Sequence, residues 1–163
     1  TPPQDRIERF WQAYLATLPP ERPGCTRRPL AEPFGDGPEL ANQLGGLIVV
    51  GLKTATCSTL WEWEAEGAAL PEPGCLTIVL DGAREPLCLI ETTEVTLRRF
   101  DEVDAAFAYD EGEGDRSLAY WRQAHLSFFG RTLAALGQAV GPEMMLVCER
   151  FRVLYRAGQG EPK

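Results

Sequence analysis

The sequence predicts an α+β fold: a small curved mixed sheet or barrel with flanking helices and an extra helix at the N-terminus. Three observations lead there. Segments with apolar residues at helical spacing interleave with short β-branched runs, without the regular strand–helix–strand rhythm of a doubly wound sheet. Two apolar runs, "CLTIVL" and "LCLIETTEVTL", flank the turn "DGAREP" and read as a hairpin. The 163 residues, 44% hydrophobic and 25% charged, suit one domain with a sizeable core.

Taken in order, "PPQDRIERFWQAYLATL" spaces Ile7, Phe10, Trp11, Tyr14, Leu15 and Leu18 as an amphipathic helix that opens on proline and stops at Pro19 and Pro20. From Pro19 to Pro38 six prolines mark a long loop or lid. Asp36 and Glu39 have capping-box spacing, so a second helix is expected from about residue 37 through "ELANQLGGLIVV", with Gly51 as its stop. "LKTATCS" then leaves that helix and precedes a short helical stretch, "STLWEWEAEG". After the hairpin, "FDEVDAAFAYDEG" begins with a short helix. "DRSLAYWRQAHLSFFGRTLAAL" is a long one, with Asp115 as N-cap and an apolar face through Leu118, Trp121, His125, Phe128, Phe129 and Leu136. "MMLVCERFRVLYR" is a last strand in which Arg150, Arg152 and Arg156 stand at even-numbered intervals, alternating with Phe151, Val153 and Tyr155.

A net charge of −8 and a pI near 4.7 argue against broad binding to duplex DNA, which needs a basic surface. A pocket for one nucleotide stays compatible with that charge. No apolar run approaches the roughly 20 residues that span a bilayer, and the first residues lack the basic and apolar regions of a signal peptide. Five dispersed cysteines without a CxxC pair are expected to be reduced thiols in a cytoplasmic protein. With a single histidine and no clustered cysteines, no metal and no cofactor is expected. The phosphate-loop, dinucleotide, zinc-protease and nucleophile-elbow signatures are all missing.

The candidate chemistry starts at "GLKTATCS". Lys53 is one of two lysines, the other being Lys163; the remaining basic residues are arginine. Arginine stays protonated, whereas a buried lysine can lose its proton and serve as a base or nucleophile. Thr54, Thr56, Cys57 and Ser58 supply hydroxyl and thiol groups within five positions. The alternative is a surface lysine near an ordinary helix end. Cys57 and His125 form a rival nucleophile pair, against a small buried thiol and a core histidine. The acidic run "YDEGEGD" is a second site candidate or a solvated loop; Glu111 or Glu113 could face Lys53, and such an ion pair would hold the lysine protonated. Trp61, Trp63, Tyr109 and Trp121 could stack on a base or fill the core.

The stretches "FGDGPELANQL", "GLKTATCSTLWEWE", "LCLIETTEVTLRRFDEVDAAFAYDEGEGDRSLAYWR" and "AHLSFF" together resemble the ASCH domain family, over roughly residues 34 to 155. The resemblance implies a small β-barrel related to the PUA fold, a fold used to bind RNA. Some family members are ribonucleases. Small bacterial members hydrolyse N4-acetylcytidine with a lysine, a threonine three positions later and a glutamate. Lys53 and Thr56 match the first two, and Glu113, ahead of Glu111 across a one-residue gap, the third. Ser58 stands where those enzymes carry arginine. The resemblance divides the chain into an N-terminal helix and proline-rich loop (1–33), an ASCH-like domain (34–156) and a tail (157–163). It implies a hydrolase of an N4-acylcytidine-type amide, with Thr56 as nucleophile, Lys53 as base and Glu113 positioning the lysine or protonating the amine. Backbone N–H groups of residues 54 to 57 would hold the oxyanion. Further substrate contacts are expected at Asp36, Thr54, Ser58, Tyr109, Glu111, Arg116 and Arg152. The partner is a nucleoside or single-stranded RNA, with no membrane. The alternatives are a single-strand ribonuclease and a non-enzymatic RNA-binding module.

Overall fold

The computed structural model describes residues 3–20 and 28–159. Among them are five α-helices: α1 (Pro3–Leu15), α2 (Pro38–Val49), α3 (Leu60–Glu66), α4 (Ala105–Glu111) and α5 (Leu118–Ala134). The five strands are β1 (Leu30–Pro33), β2 (Ala55–Thr59), β3 (Leu76–Leu80), β4 (Pro86–Arg99) and β5 (Met145–Arg156). They form one sheet in the order β1-β3-β4-β5-β2, with β1 parallel to β3 and the other pairs antiparallel. The α+β class expected from the sequence is therefore present as a curled half-barrel. The long β4–β5 ladder supplies the curl. Its register shifts at Leu89/Ile90 and again at Thr92/Glu94, and an unpaired residue in one strand bends and twists the pair.

Both faces of the sheet are covered. All five residues of β3 are buried, as the unbroken apolar run "LTIVL" requires. Leu76, Ile78 and Leu80 pack with Leu89 and Tyr155 under Phe10 and Trp11 of α1, so the first helix is part of the core. On the opposite face Val79, Cys88, Ile90 and Phe151 meet Ile48 of α2. A third cluster gathers Trp121, Phe129 and Leu133 of α5 with Phe107 of α4, Leu146 of β5 and Ala55 of β2. It fixes α4 and α5 beside the β2 edge.

Several local expectations change. The proline-rich stretch contains strand β1, which extends the sheet through β3; residues 21–27 of that stretch lie outside the described part. "ATCST" is strand β2, where the sequence suggested only a passage between helices. The capping box at α2 is not formed: Gly37 is the N-cap, and Asp36 bonds Arg131 of α5 instead. At α5 the cap is Ser117, whose Oγ accepts from Tyr120 N–H, while Asp115 accepts from Ser117 N–H. Leu136 lies beyond the helix end and is exposed. The α2 stop holds: Gly51 has φ of 82°, and both Leu52 and Lys53 donate their N–H to Leu47 O.

Candidate active site

Lys53 and the acidic loop meet because two backbone segments touch. α4 ends at Gly112, whose φ of 74° is the left-handed conformation that glycine adopts without a side-chain clash. A Cβ at Gly112 would lie 2.3 Å from Leu52 O and 2.8 Å from Lys53 N. The glycine between the two glutamates is thus what lets the loop lie against the lysine segment. Thr54 N–H donates to Asp110 O at 2.7 Å and fixes the contact.

Glu111 and Glu113 flank this junction, and both reach Lys53. The lysine is 1% exposed. Its Nζ donates to Glu111 Oε2 at 2.7 Å, Ala55 O at 2.9 Å and Glu113 Oε2 at 3.1 Å. Burial alone would disfavour the ammonium. The two carboxylates outweigh burial and hold the Lys53 pKa above its ordinary value. Burial pushes Glu111 up as well, but Lys53 and His125 beside it draw it far below the usual carboxylate range. Glu113 goes the other way, raised by burial and then, against the pull of Lys53, by the charge of Glu111. One carboxylate is fixed as an anion, and its neighbour holds a proton more readily.

The surroundings complete the division of labour. Glu111 Oε1 accepts from Trp121 Nε1–H at 3.1 Å and lies 3.5 Å from His125 Nε2. The His125 ring stacks on Trp121 with centroids 4.3 Å apart. Burial disfavours the imidazolium, but Glu111 raises the His125 pKa overall. Burial and then the Glu111 charge push the Cys57 thiol well above its ordinary value. A resting thiolate nucleophile at Cys57 is therefore disfavoured, although Cys57 and His125 do stand in one site.

The family model of the ASCH domain matches residues 31–155. The chain belongs to the ASCH domain family. Proteins of this family are generally RNA-binding or hydrolase-like. Two solved structures are similar over nearly all of this ASCH chain. One is an ASCH domain from Lactobacillus crispatus JV V101, 34% identical with a TM-score of 0.87, covering 93% of this chain and 96% of that one. The other is a protein from Enterococcus faecalis V583, 36% identical with a TM-score of 0.85, covering 96% of this chain and 92% of that one. None of the curated proteins matches. Among the described residues no helix is long and apolar enough to cross a membrane.

In this ASCH domain Lys53, Glu111 and Glu113 open on a cavity of about 320 Å³, which Thr56, Cys57 and His125 also line. That volume is in the range of small-ligand sites. An apolar part of the wall runs from Phe34, Leu40 and Leu44 to Phe128 of α5. Asp36 stands beside it, bonding Arg131 of the lining at 2.9 Å. Other expected contacts lie elsewhere. Thr54 Oγ1 turns to Asp110 O, and Ser58 accepts from Trp63 Nε1–H at 2.7 Å. Arg116 covers the exposed Tyr109 ring at 3.5 Å, and Arg152 pairs with Glu91. None of the four aromatic residues singled out for base stacking lines the cavity; Phe34, Tyr120 and Phe128 do. The three arginines of β5 are each engaged, Arg150 by Asp110, Arg152 by Glu91 and Arg156 by Val49 O. Thr54 N–H is also taken and is not free for an oxyanion. The apolar wall was missed because its residues come from three segments with ordinary core spacing.

Proposed function

We propose that this ASCH domain is a hydrolase that removes the acyl group from the exocyclic amine of an N4-acylcytidine-type nucleoside. The observation that carries the reading is that Thr56 shares one small-ligand cavity with a buried lysine and two carboxylates of opposite protonation tendency. Such a separation of two acid groups suits acid–base work.

The geometry revises one role. Lys53 is held charged, and its acceptors are Glu111, Glu113 and the carbonyls of Ala55 and Glu111, not Thr56 Oγ1. It serves better as a positioning residue than as a neutral base. Glu113, one fifth exposed and raised in pKa, is the better proton carrier. In this reading Thr56 Oγ attacks the acyl carbon while the Glu113 carboxylate takes the hydroxyl proton. Glu113 passes that proton to the exocyclic nitrogen as the C–N bond breaks, releasing cytidine and leaving an acyl ester on Thr56. A water then attacks the ester and gives its proton to Glu113. The acid leaves, and Thr56 recovers its proton.

The ribonuclease reading draws less support. A phosphate needs a free cation that faces it, and both cations of the lining are engaged, Lys53 by Glu111 and Glu113 and Arg131 by Asp36. The test is incubation with N4-acetylcytidine and, separately, with a short single-stranded RNA. Cytidine and acetate are expected in equal amounts, lost in Thr56→Ala, with the RNA intact. Shortened RNA without deacylation would replace this reading with the nuclease, and RNA binding without either reaction would replace it with the binding module.

A further inference from the structure

Cys57, Glu111 and His125 come from three different elements, β2, α4 and α5, and all three line the cavity. A sulfur, a carboxylate oxygen and a ring nitrogen, one from each, lie within 4.8 Å of one another. We infer that these three side chains form a binding site for a thiophilic divalent cation of the zinc type, with its fourth position open to the cavity. The inference does not rest on the hydrolase reading, whose steps use Thr56, Lys53 and Glu113; the two share Glu111, which there holds Lys53.

Four features support it. First, the donor set is mixed. Thiolate, imidazole and carboxylate all bind zinc, and three protein ligands with one open position is the arrangement of catalytic rather than structural zinc. Second, the spacing is close to what an ion needs, all three donor atoms lying within 4.8 Å of one another. Ligands at about 2.0–2.3 Å from a tetrahedral ion stand roughly 3.3–3.6 Å apart. Glu111 Oε1 and His125 Nε2 are already 3.5 Å apart, long for a hydrogen bond between charged partners. Third, the histidine is oriented for it. His125 Nδ1 lies 2.8 Å from Trp121 O, an acceptor only, so Nδ1 carries the hydrogen and Nε2 is the nitrogen that faces Glu111. Holding the other ring N–H on a carbonyl is the usual way a metal-binding histidine is fixed.

The fourth is charge. One dication and the Lys53 ammonium oppose a Cys57 thiolate and the Glu111 and Glu113 carboxylates, and these cancel. Lys53 uses Glu111 Oε2, which leaves Oε1 for the ion with Trp121 Nε1–H still bonded to it. Binding requires that the Cys57 thiol give up its proton to solvent, that His125 be neutral and that the side chains close from within 4.8 Å to ligand spacing.

The probe is the metal alone, added to the full chain after chelation and dialysis. Cobalt(II) is expected to give a thiolate-to-cobalt absorption band with tetrahedral visible bands, saturating at one equivalent and displaced by zinc. Cys57→Ser should abolish the charge-transfer band, and His125→Asn should weaken binding by at least about 100-fold. Cys75→Ser, just before β3 and no part of the cavity lining, should change nothing. Zinc should raise the melting temperature of the unsubstituted chain and not that of folded Cys57→Ser. If the variants fail to fold, the unsubstituted chain decides: no thiolate band overturns the site. A band that survives Cys57→Ser but disappears in Cys148→Ser, the cysteine paired with Cys57 across β2 and β5, overturns it too. Deacylation is assayed on chelated protein, so loss of metal binding and loss of hydrolysis are read separately.

Discussion

At Lys53 an ammonium sits where water does not reach, within 3.1 Å of two carboxylate oxygens and one carbonyl. Its singular place in an arginine-rich chain made it visible in the sequence. That an ion pair with the acidic run would hold it protonated was one of the alternatives the sequence left open; its burial, and the choice between the alternatives, were not visible, because both depend on groups 58 and 60 positions away. The same holds for the two glutamates, which look interchangeable in "DEGEGD". Their environments separate them: Glu111 accepts from Lys53 and Trp121, while Glu113 is partly exposed and, among the described residues, pairs with no cation but Lys53. Substitutions should therefore behave differently. Glu111→Gln removes the main counter-charge of a buried lysine and should destabilise the fold by about 3–5 kcal/mol in denaturant unfolding. Glu113→Gln still offers Lys53 an oxygen, so its melting curve should stay close to the parent. Its deacylation rate should drop by about 10²–10⁴, the usual scale for losing a proton carrier. A Glu113→Gln protein with unchanged turnover would remove Glu113 from the chemistry.

Among the elements, those with a strong period were legible: α1, the β3–β4 hairpin, α5 and β5. The two missed strands are short and chemically disguised. β1 is four residues long and ends on Pro33, which an edge strand tolerates and a central one does not. β2 is five small or polar residues, and its pairing to β5 is a tertiary fact. In the sequence Gly112 is only a glycine within the acidic run. In the fold it is the hinge on which the site depends, since α4 must end in a left-handed residue flush against Leu52. Gly112→Ala should combine the cost of that conformation with overpacking against backbone that cannot move aside, about 2–4 kcal/mol together. It should also move both glutamates relative to Lys53, so turnover should fall in the fraction that remains folded. A substituted protein that melts within a degree of the parent would show that the two segments do not need to touch.

For the whole molecule, curling the sheet brings polar residues of distant strands onto one inner face, and this no local pattern reveals. Glu149 of β5 pairs with Thr56 across β2 and accepts from Thr92 Oγ1 of β4 at 3.3 Å. Among the described residues no cation pairs with it. Burial, and to a lesser degree the charge of Glu32 on β1, raise its pKa to about 7 against the pull of the Thr92 hydrogen bond. A carboxyl raised on folding binds its proton more tightly in the folded chain than in the unfolded one. Its contribution to stability is therefore fully present below its ordinary pKa of 4.5 and is lost as pH rises to about 7. A shift of this size corresponds to at most about 3 kcal/mol, less to the extent that solvent reaches the group. Other carboxylates change stability over the same range, so the informative quantity is the difference between Glu149→Gln and the parent. Glutamine keeps an acceptor for Thr92 and cannot ionise. The difference in unfolding free energy should move in favour of the glutamine protein from pH 4.5 to 7.5, by roughly 1–3 kcal/mol, and level off above that. Denaturant titrations of both proteins at half-unit pH intervals measure it. A difference that stays constant across the range would mean that Glu149 ionises in the folded chain as it does in the unfolded one.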